Sequence, residues 1–325
     1  MEKEKENNNF KEIYEKLIDS KKIIISLHKG PDGDSLGSCS AMKYFLEKQN
    51  KNIKIISPDE IAESFLNLNM TKDIETGKSL ENFNIKEYDV VLCLDSAKPS
   101  QIKTPEEHLK KGFVINIDHH ETNPFYGNLN YIDSEKSSTC SILLDFFNEL
   151  GIEIDKELAT RLILGVYTDS RGFTARNAIQ ALKDANKLID KQANYLELLE
   201  KIKISLRMKK YLSYIINNVQ YKDNIAWSFL PKEKIKELDL NLSEIRKGIS
   251  ELRELKEFDI VFTLSEIKPG KIKVSFRSSK TDVSKFAREL GGGGHKGAAS
   301  ADIYEMNLEE AKNKVLETIE NYKNQ

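Results

Sequence analysis

The sequence predicts an α/β protein: an N-terminal doubly wound, mainly parallel sheet, and a smaller C-terminal α/β domain joined to it by a helical linker. Three observations predict this. Short β-rich runs alternate with segments of helical period through the first half of the chain. A lysine- and glutamate-rich helical stretch then breaks the alternation, and a second group of strand-like runs follows it. With 325 residues the chain has length for two buried cores.

In chain order, KIIISL at 22–27, NIKIIS at 52–57, YDVVLCL at 88–94 and FVINI at 113–117 are the expected strands of the first sheet. Between them, SLGSCSAMKYFLEK brings Leu36, Cys39, Met42 and Leu46 near one helical face. Farther on, CSILLDFFNEL stops at Gly151, a helix C-terminal signal, and LATRLILGVY keeps the 3.6-residue period. The expected first domain is 1–188, the linker 189–215, and the second domain 216–325. In the second, IAWSFL, FDIVFTLSEI and KIKVSFRSS read as strands, and TDVSKFAREL as a helix running into GGGGHKGAAS.

Composition excludes some functions. Lys and Arg number 50 against 52 Asp and Glu, a net charge of −2, which disfavours a nonspecific grip on long nucleic acid but allows a small anionic substrate. Cys39, Cys93 and Cys140 have no CxxC spacing and read as reduced thiols. The start, MEKEKENNNF, lacks the apolar core of a signal peptide, and no apolar run reaches the roughly 18 residues of a membrane span. A soluble, cytoplasmic protein without membrane partners is expected.

The chemistry-bearing residues gather at predicted strand ends. His28 follows the first strand in HKGPDGDSLGS, Asp95 closes YDVVLCLD, and Asp118, His119 and His120 close FVINIDHH. Open α/β sheets bind ligands at that edge. Asp169 instead ends the helical LATRLILGVYTD, where the helix dipole disfavours a carboxylate by up to about 1 kcal/mol unless a cation is near. Alone, PDGD is a solvated turn and Asp95 a helix cap; their convergence on one edge argues for a site. His28, Asp32, Asp34, Asp95, His119 and Asp169 can supply two metals with one carboxylate bridging. Mixed imidazole and carboxylate donors suit Mn²⁺, with zinc, iron and cobalt as competitors on affinity.

GGGGHKGAAS lacks the GxxxxGK[ST] spacing of a phosphate-binding P-loop. It is either a flexible linker or a bare backbone that lets a phosphate or base approach. In KIKVSFRSS, alternation puts Arg277 on the polar face with Lys273 and Ser275, free to fork onto a phosphate or simply to be solvated.

HKGPDGDSLGS, LCLDSA, IDHH and GVYTDS, in this order, resemble the four motifs of the DHH phosphoesterases, and RSS with GGGGHKGAA resembles their DHH-associated C-terminal domain. The two-domain layout is most similar to the bacterial nanoRNases that also hydrolyse 3′-phosphoadenosine 5′-phosphate (pAp). The resemblance implies that His28, Asp32 and Asp95 hold one Mn²⁺ while Asp34, Asp95, His119 and Asp169 hold the other, with Asp95 as the bridge. It further implies that Asp118 orients the motif, that His120 contacts the scissile phosphate, and that Arg277, Ser278, Gly293, Gly294 and His295 grip the nucleotide's terminal phosphate and base.

Where the nanoRNases commonly read TDTGGFRYSN, this chain reads TDSRGFTARN, so Thr174 replaces the usual arginine. Arg171 or Arg176 is left to supply that charge, and Phe173 is a further candidate contact. The implied activity is a two-metal phosphodiesterase of very short RNA with pAp phosphatase activity; a homodimer is also common in such enzymes. The alternatives are hydrolysis of linear or cyclic dinucleotides such as pApA and pGpG, and a noncatalytic nucleotide-binding regulator.

Overall fold

The computed structural model describes residues 6–175 and 177–323, which form two compact units, one reaching Lys203 and the other starting at Ile204. In the first, α1 (Phe10–Asp19) is followed by β1 (Lys22–Ser26), α2 (Gly33–Lys48), β2 (Asn52–Ile56), β3 (Val90–Leu94), α3 (Glu106–Leu109), β4 (Val114–Asp118) and β5 (Leu129–Ile132). Then come α4 (Thr139–Glu149), α5 (Lys156–Asp169), α6 (Ala178–Asp190) and α7 (Tyr195–Lys201). The five strands run parallel in the order β2-β1-β3-β4-β5. The four strands expected in this half are β1 to β4. The fifth, β5, was hidden in sequence because NLNYI alternates asparagine with apolar residues at a sheet edge.

Strand alternation divides the apolar residues between two faces. Ile23, Ile25, Leu92, Leu94, Ile115 and Ile117 join the core built with α1, α2, α4 and α5. Ile24, Val91, Cys93 and Val114 point the other way, where short helical turns carrying Leu80, Ile85 and Ile102, with Leu109 of α3, close the face. One side of the sheet is thus covered by full helices and the other by single turns. Cys39, Cys93 and Cys140 are free and buried.

Helix α2 is buried on most of its surface, because Ser35, Ser38, Ser40 and Ala41 are small enough to let α4 and α5 close over it. At Gly37 a Cβ would lie 2.6 Å from the carbonyl oxygen of Arg161 on α5. Asp155 fixes the start of α5: its carboxylate accepts from the Leu158 amide at 2.9 Å and from the Tyr44 hydroxyl and Lys48 ammonium, both at 2.7 Å. A capping box of Asn9 and Glu12 starts α1. Just before it, Asn7 and Asn8 complete the open side of β5. Asn8 N donates to Asn130 O at 2.8 Å, and the Asn7 amide group exchanges bonds of 2.8 and 2.7 Å with Ile132.

The second unit contains α8 (Leu206–Asn217), β6 (Gln220–Lys222), β7 (Ile225–Leu230), α9 (Lys232–Glu237), α10 (Leu242–Ile245), α11 (Gly248–Arg253), β8 (Ile260–Lys268) and β9 (Lys271–Ser278). It ends with α12 (Val283–Glu289), β10 (Gly293–His295), β11 (Ala298–Tyr304) and α13 (Leu308–Lys323). The sheet order is β10-β11-β9-β8-β7-β6, with only β7 and β8 parallel. Trp227, Phe262 and Phe276 pack with Phe286 of α12 and Val315 of α13 on one face. Ala226, Leu230 and Val261 pack with Tyr211 of α8 and Ile249 of α11 on the other. The stretch expected as a linker, 189–215, is divided: α7 packs on α5 in the first unit, and α8 on α11 in the second. Among the described residues, no helix is long and apolar enough to cross a membrane.

The contact at Gly37 yields a test. Gly37→Ala is expected to destabilise the protein by about 1–3 kcal/mol, the usual cost of overpacking a close helix contact. Thermal unfolding beside the wild type checks it, and an unchanged Tm would show that α2 and α5 can separate freely.

Candidate metal centre

In a sheet ordered β2-β1-β3-β4-β5 the winding reverses between β1 and β3, and the carboxyl ends of those strands open onto a crevice. His28 follows β1, Asp95 follows β3, and Asp118 ends β4 just before His119 and His120. Asp32 is the N-cap of α2, with Oδ1 accepting from the amides of Asp34 and Ser35 at 3.0 and 3.1 Å. Asp34 lies in the first turn of that helix, and Asp169 ends α5.

The structure brings the six expected ligands into two adjoining groups, one of His28, Asp32 and Asp95 and one of Asp34, His119 and Asp169. His28 Nε2 lies 3.5 Å from Asp32 Oδ1 and 3.4 Å from Asp95 Oδ2. His119 Nε2 lies 3.5 Å from Asp95 Oδ1, 3.5 Å from Asp169 Oδ2 and 4.0 Å from Asp34 Oδ2. Asp95 therefore turns one carboxylate oxygen toward each group. It does so from a left-handed backbone, φ +55°, a costly conformation for a residue other than glycine.

Protein amides fix Asp34. Its Oδ2 accepts from Thr139 N at 2.7 Å and its Oδ1 from Cys140 N at 2.9 Å, both at the start of α4. Thr139 Oγ1 donates to Asp95 Oδ1 at 3.3 Å. A Cβ at Gly165 of α5 would lie 2.3 Å from Asp34 Oδ1 and 2.4 Å from Cys140 Sγ, so only glycine leaves room for this carboxylate. Asp34 is 1% and Asp95 2% exposed. Burial, then the charges of Asp95, Asp169 and Asp32, hold the Asp34 carboxyl well above the usual carboxylate range. Burial also pushes Asp169 up to about 6, with Asp95 and Asp32 adding to it against the pull of His119. Acids that keep protons because they are buried beside one another fit a divalent cation, and imidazole with carboxylate is the donor mixture that first-row metals accept.

Asp118 belongs to neither group but holds His120, whose Nδ1 lies 3.8 Å from Asp95 Oδ1. Its Oδ1 accepts from His119 N at 2.9 Å and His120 Nδ1 at 2.7 Å, and its Oδ2 from Asn123 Nδ2 at 2.7 Å. Burial alone would lower His120, but the bond to Asp118 and the charges of Asp118, Asp95 and Asp169 raise it to about 9. Burial alone would likewise raise Asp118, yet His120 and Asn123 keep it below its ordinary value. His120 thus carries a proton near neutral pH and keeps Nε2 for a ligand.

After Asp169, the backbone of Arg171, Gly172 and Phe173 is left-handed at each residue. Phe173 packs edge-on against Tyr167 at 5.7 Å, and Arg171 is exposed. Arg176 lies outside the described residues.

In the second unit, GGGGHKGAAS is a hairpin in which Gly293, Gly294 and His295 of β10 pair with Ser300, Ala299 and Ala298 of β11. A Cβ at Gly292 would meet Ser300 O at 2.2 Å, and one at Gly294, where φ is +147°, would meet Ala299 Cα at 2.5 Å. A Cβ at Gly293 would meet nothing within 4 Å. Packing therefore requires glycine at 292 and 294 and leaves 293 open. Arg277, the second-last residue of β9, lies opposite Ala298, with burial and the nearby Arg253 guanidinium lowering it. The Ser278 hydroxyl donates to Asp259 Oδ1 at 2.8 Å and accepts from the amides of Lys280 and Thr281, so it is engaged within the chain.

Sequence reasoning missed Thr139, Cys140 and Asn123. The first two act through backbone amides, which carry no residue signature; the SST run before an apolar helix, a capping pattern, was the available signal. Asn123 follows the histidine pair by a few residues in HHETNP, a polarity that also suits an ordinary loop.

Histidine titration by NMR in the metal-free protein is expected to place His120 near 9, and Asp118→Asn to bring it toward its ordinary value of 6.5. Because folding raises this pKa, the stabilisation is complete below about 6.5 and is lost as pH rises through about 9. An unmoved His120 in the Asp118→Asn variant would remove Asp118 as the cause.

Residues 22–166 match the DHH family, N-terminal domain, and residues 222–324 match the DHHA1 domain. A "Bifunctional oligoribonuclease and PAP phosphatase NrnA" of Thermus thermophilus is 30% identical, over 91% of this chain and 89% of that protein. A "Probable bifunctional oligoribonuclease and PAP phosphatase NrnA" of Streptococcus mutans is 25% identical, over 91% and 94%. Among solved structures, an exopolyphosphatase-related protein of Bacteroides fragilis superposes with a TM-score of 0.84 at 26% identity, covering 97% of this chain and 96% of that one. With both domains matched in order and a 30% identical relative covered almost end to end, the chain belongs to the DHH family.

Proposed function

We propose that this chain is a two-manganese phosphodiesterase that degrades very short oligoribonucleotides to mononucleotides and also hydrolyses pAp. The observation that carries the reading is Asp95, whose two oxygens face two separate donor groups from one buried position. The substrates follow from the oligoribonuclease and PAP phosphatase names of the relatives that span almost the whole chain. Near-neutral charge favours short over long RNA.

In this reading, His28, Asp32 and Asp95 hold one Mn²⁺, and Asp34, Asp95, His119 and Asp169 the other. Once bound, the pair supplies an activated water and neutralises charge on the nonbridging phosphate oxygens. The amides of Thr139 and Cys140 keep Asp34 aimed, and Gly165 gives it room. Asp118 fixes the His120 ring through Nδ1, and His120, when protonated, donates to the phosphate oxygen where negative charge develops. In the second unit, Arg277, His295 and the bare backbone at Gly293 and Gly294 receive a terminal phosphate and base. Ser278, with its hydroxyl engaged by Asp259, acts by fixing the end of the Arg277 strand. Arg171 or Arg176 stands in for the arginine missing at Thr174.

The test is mononucleotide release in Mn²⁺ from pAp, pApA, pGpG, a five-nucleotide RNA and a long RNA, beside Asp95→Ala. Release from the short RNAs and pAp, abolished in a folded Asp95→Ala variant, is the expected result. Tight nucleotide binding without hydrolysis would make the chain a regulator, and release only from pApA and pGpG would move the substrate to linear dinucleotides. In the same assay Gly293→Ala is expected to raise KM for pAp several-fold with little change in Tm. Gly294→Ala should lower Tm, since its methyl group meets β11. Equal behaviour of the two variants would remove the distinction between them.

A further inference from the structure

Outside the donor groups, a closed ring of contacts holds the turn that carries His28 and Asp32. We propose that Asp59, acting with Lys103 and Gln101, is a positioning residue for the His28–Asp32–Asp95 group. The proposal rests on reading that group as a metal site.

The turn needs such a device. HKGPDGD must deliver an imidazole from one side and a carboxylate from the other across Gly30, whose φ is +61°. A chain segment of this kind has many conformations, and each residue it must order on binding weakens the ligand's hold. Three hydrogen bonds order it beforehand. Gly30 N donates to Asp59 Oδ2 at 2.8 Å, Lys29 N donates to Gln101 O at 2.6 Å, and His28 Nδ1 pairs with Lys29 O at 3.0 Å. A carbonyl oxygen only accepts, so Nδ1 carries hydrogen and Nε2 is the nitrogen aimed at Asp95 and Asp32. The Lys29–Gly30 peptide that sets the direction of His28 is therefore gripped at its own N–H by Asp59, and the peptide before it by Gln101.

The grip closes on itself. Lys103 Nζ donates to Asp59 Oδ1 and, at 3.3 Å, to Pro58 O. The path from Lys29 to Gln101, along the chain to Lys103, across to Asp59 and back to Gly30 is a complete circuit. It is anchored by Ile102, which is buried in the core on the turn-covered face of the sheet. Asp59 is itself held, its carbonyl accepting from the Ser57 hydroxyl at 2.5 Å. The Gln101 side chain also reaches the other half of the group: Oε1 accepts from Ala97 N at 2.6 Å and Lys98 N at 3.1 Å, just after Asp95. One short segment, 97–103, thereby sets the spacing between the His28 turn and Asp95.

The Asp59 and Lys103 side chains are 38% and 48% exposed, and ion pairs this open add little to global stability. A role confined to the fold would therefore be weak, whereas a role in metal affinity is large and local.

The experiment is an Mn²⁺ titration of the full chain, with free ion followed by electron paramagnetic resonance, for the wild type, Asp59→Ala, Asp59→Asn and Asp32→Ala. Asp59→Ala is expected to weaken one of two sites by roughly tenfold, the usual effect of removing a residue that orients a ligand. The other site should be nearly unchanged. Asp59→Asn keeps an oxygen for the Gly30 amide and should recover most of the loss. Two sites of wild-type affinity in Asp59→Ala would overturn the proposal, and so would an equal loss in Asp59→Asn. A wild type that binds no Mn²⁺, or an Asp32→Ala variant that binds as well as the wild type, would instead overturn the metal reading beneath it. If Asp59→Ala fails to fold, Lys103→Met opens the circuit while keeping the Gly30 bond. A loss at the same site smaller than the roughly tenfold of Asp59→Ala is then expected, and unchanged affinity counts against the proposal.

Discussion

Repulsion among buried carboxylates is the constraint around which the first unit is organised. Two unit charges 4 Å apart interact by about 4 kcal/mol at a near-surface dielectric, and more as water is excluded. Asp34 and Asp95 are almost fully out of water, with Asp32 and Asp169 close by. The chain contains this cost by geometry. The first amides of α4 close on both oxygens of Asp34, α5 contributes a glycine where any side chain would collide, and the buried Asp118 is satisfied by His120 and Asn123. The tight convergence of α2, α4 and α5 is a condition for keeping these acids in place.

The winding of the sheet does the rest. Reversal between β1 and β3 puts the loops after those strands side by side, so residues far apart in sequence share one crevice. The two faces then divide the work. The helical face carries the donors of α2 and α5, and the turn-covered face supplies the segment that braces the His28 turn through Ile102 and Gln101. The second unit uses a different device. Its glycine hairpin is shaped by contact with β11, which leaves a length of backbone without side chains at its open edge.

Much of this was readable before any coordinates. Strands β1, β3 and β4 announce themselves as apolar runs because both faces of the sheet are covered, and a donor that follows such a run must lie at the binding edge. Asp169 was readable as an anomaly, an acid at the wrong end of a helix. What escaped has a common cause. Edge strand β5 has no continuous apolar signal, and the single turns over the second face have no period to detect. The groups that hold Asp34 and the His28 turn are backbone amides and carbonyls, which every residue has. Ser278 looked available for a ligand in sequence, and only coordinates reveal that Asp259 already engages it.

The two asparagines beside β5 have a consequence for how the first unit is assembled. Asn7 is joined to Ile132 across 125 positions of sequence, so it finds its partner only after most of the unit has emerged. Closure over such a distance comes late in folding, because the chain entropy it costs is recovered only once the intervening strands are in register. Until then the outer strand presents unpaired amides to any passing chain, and the nascent unit passes through an interval in which self-association competes with completion.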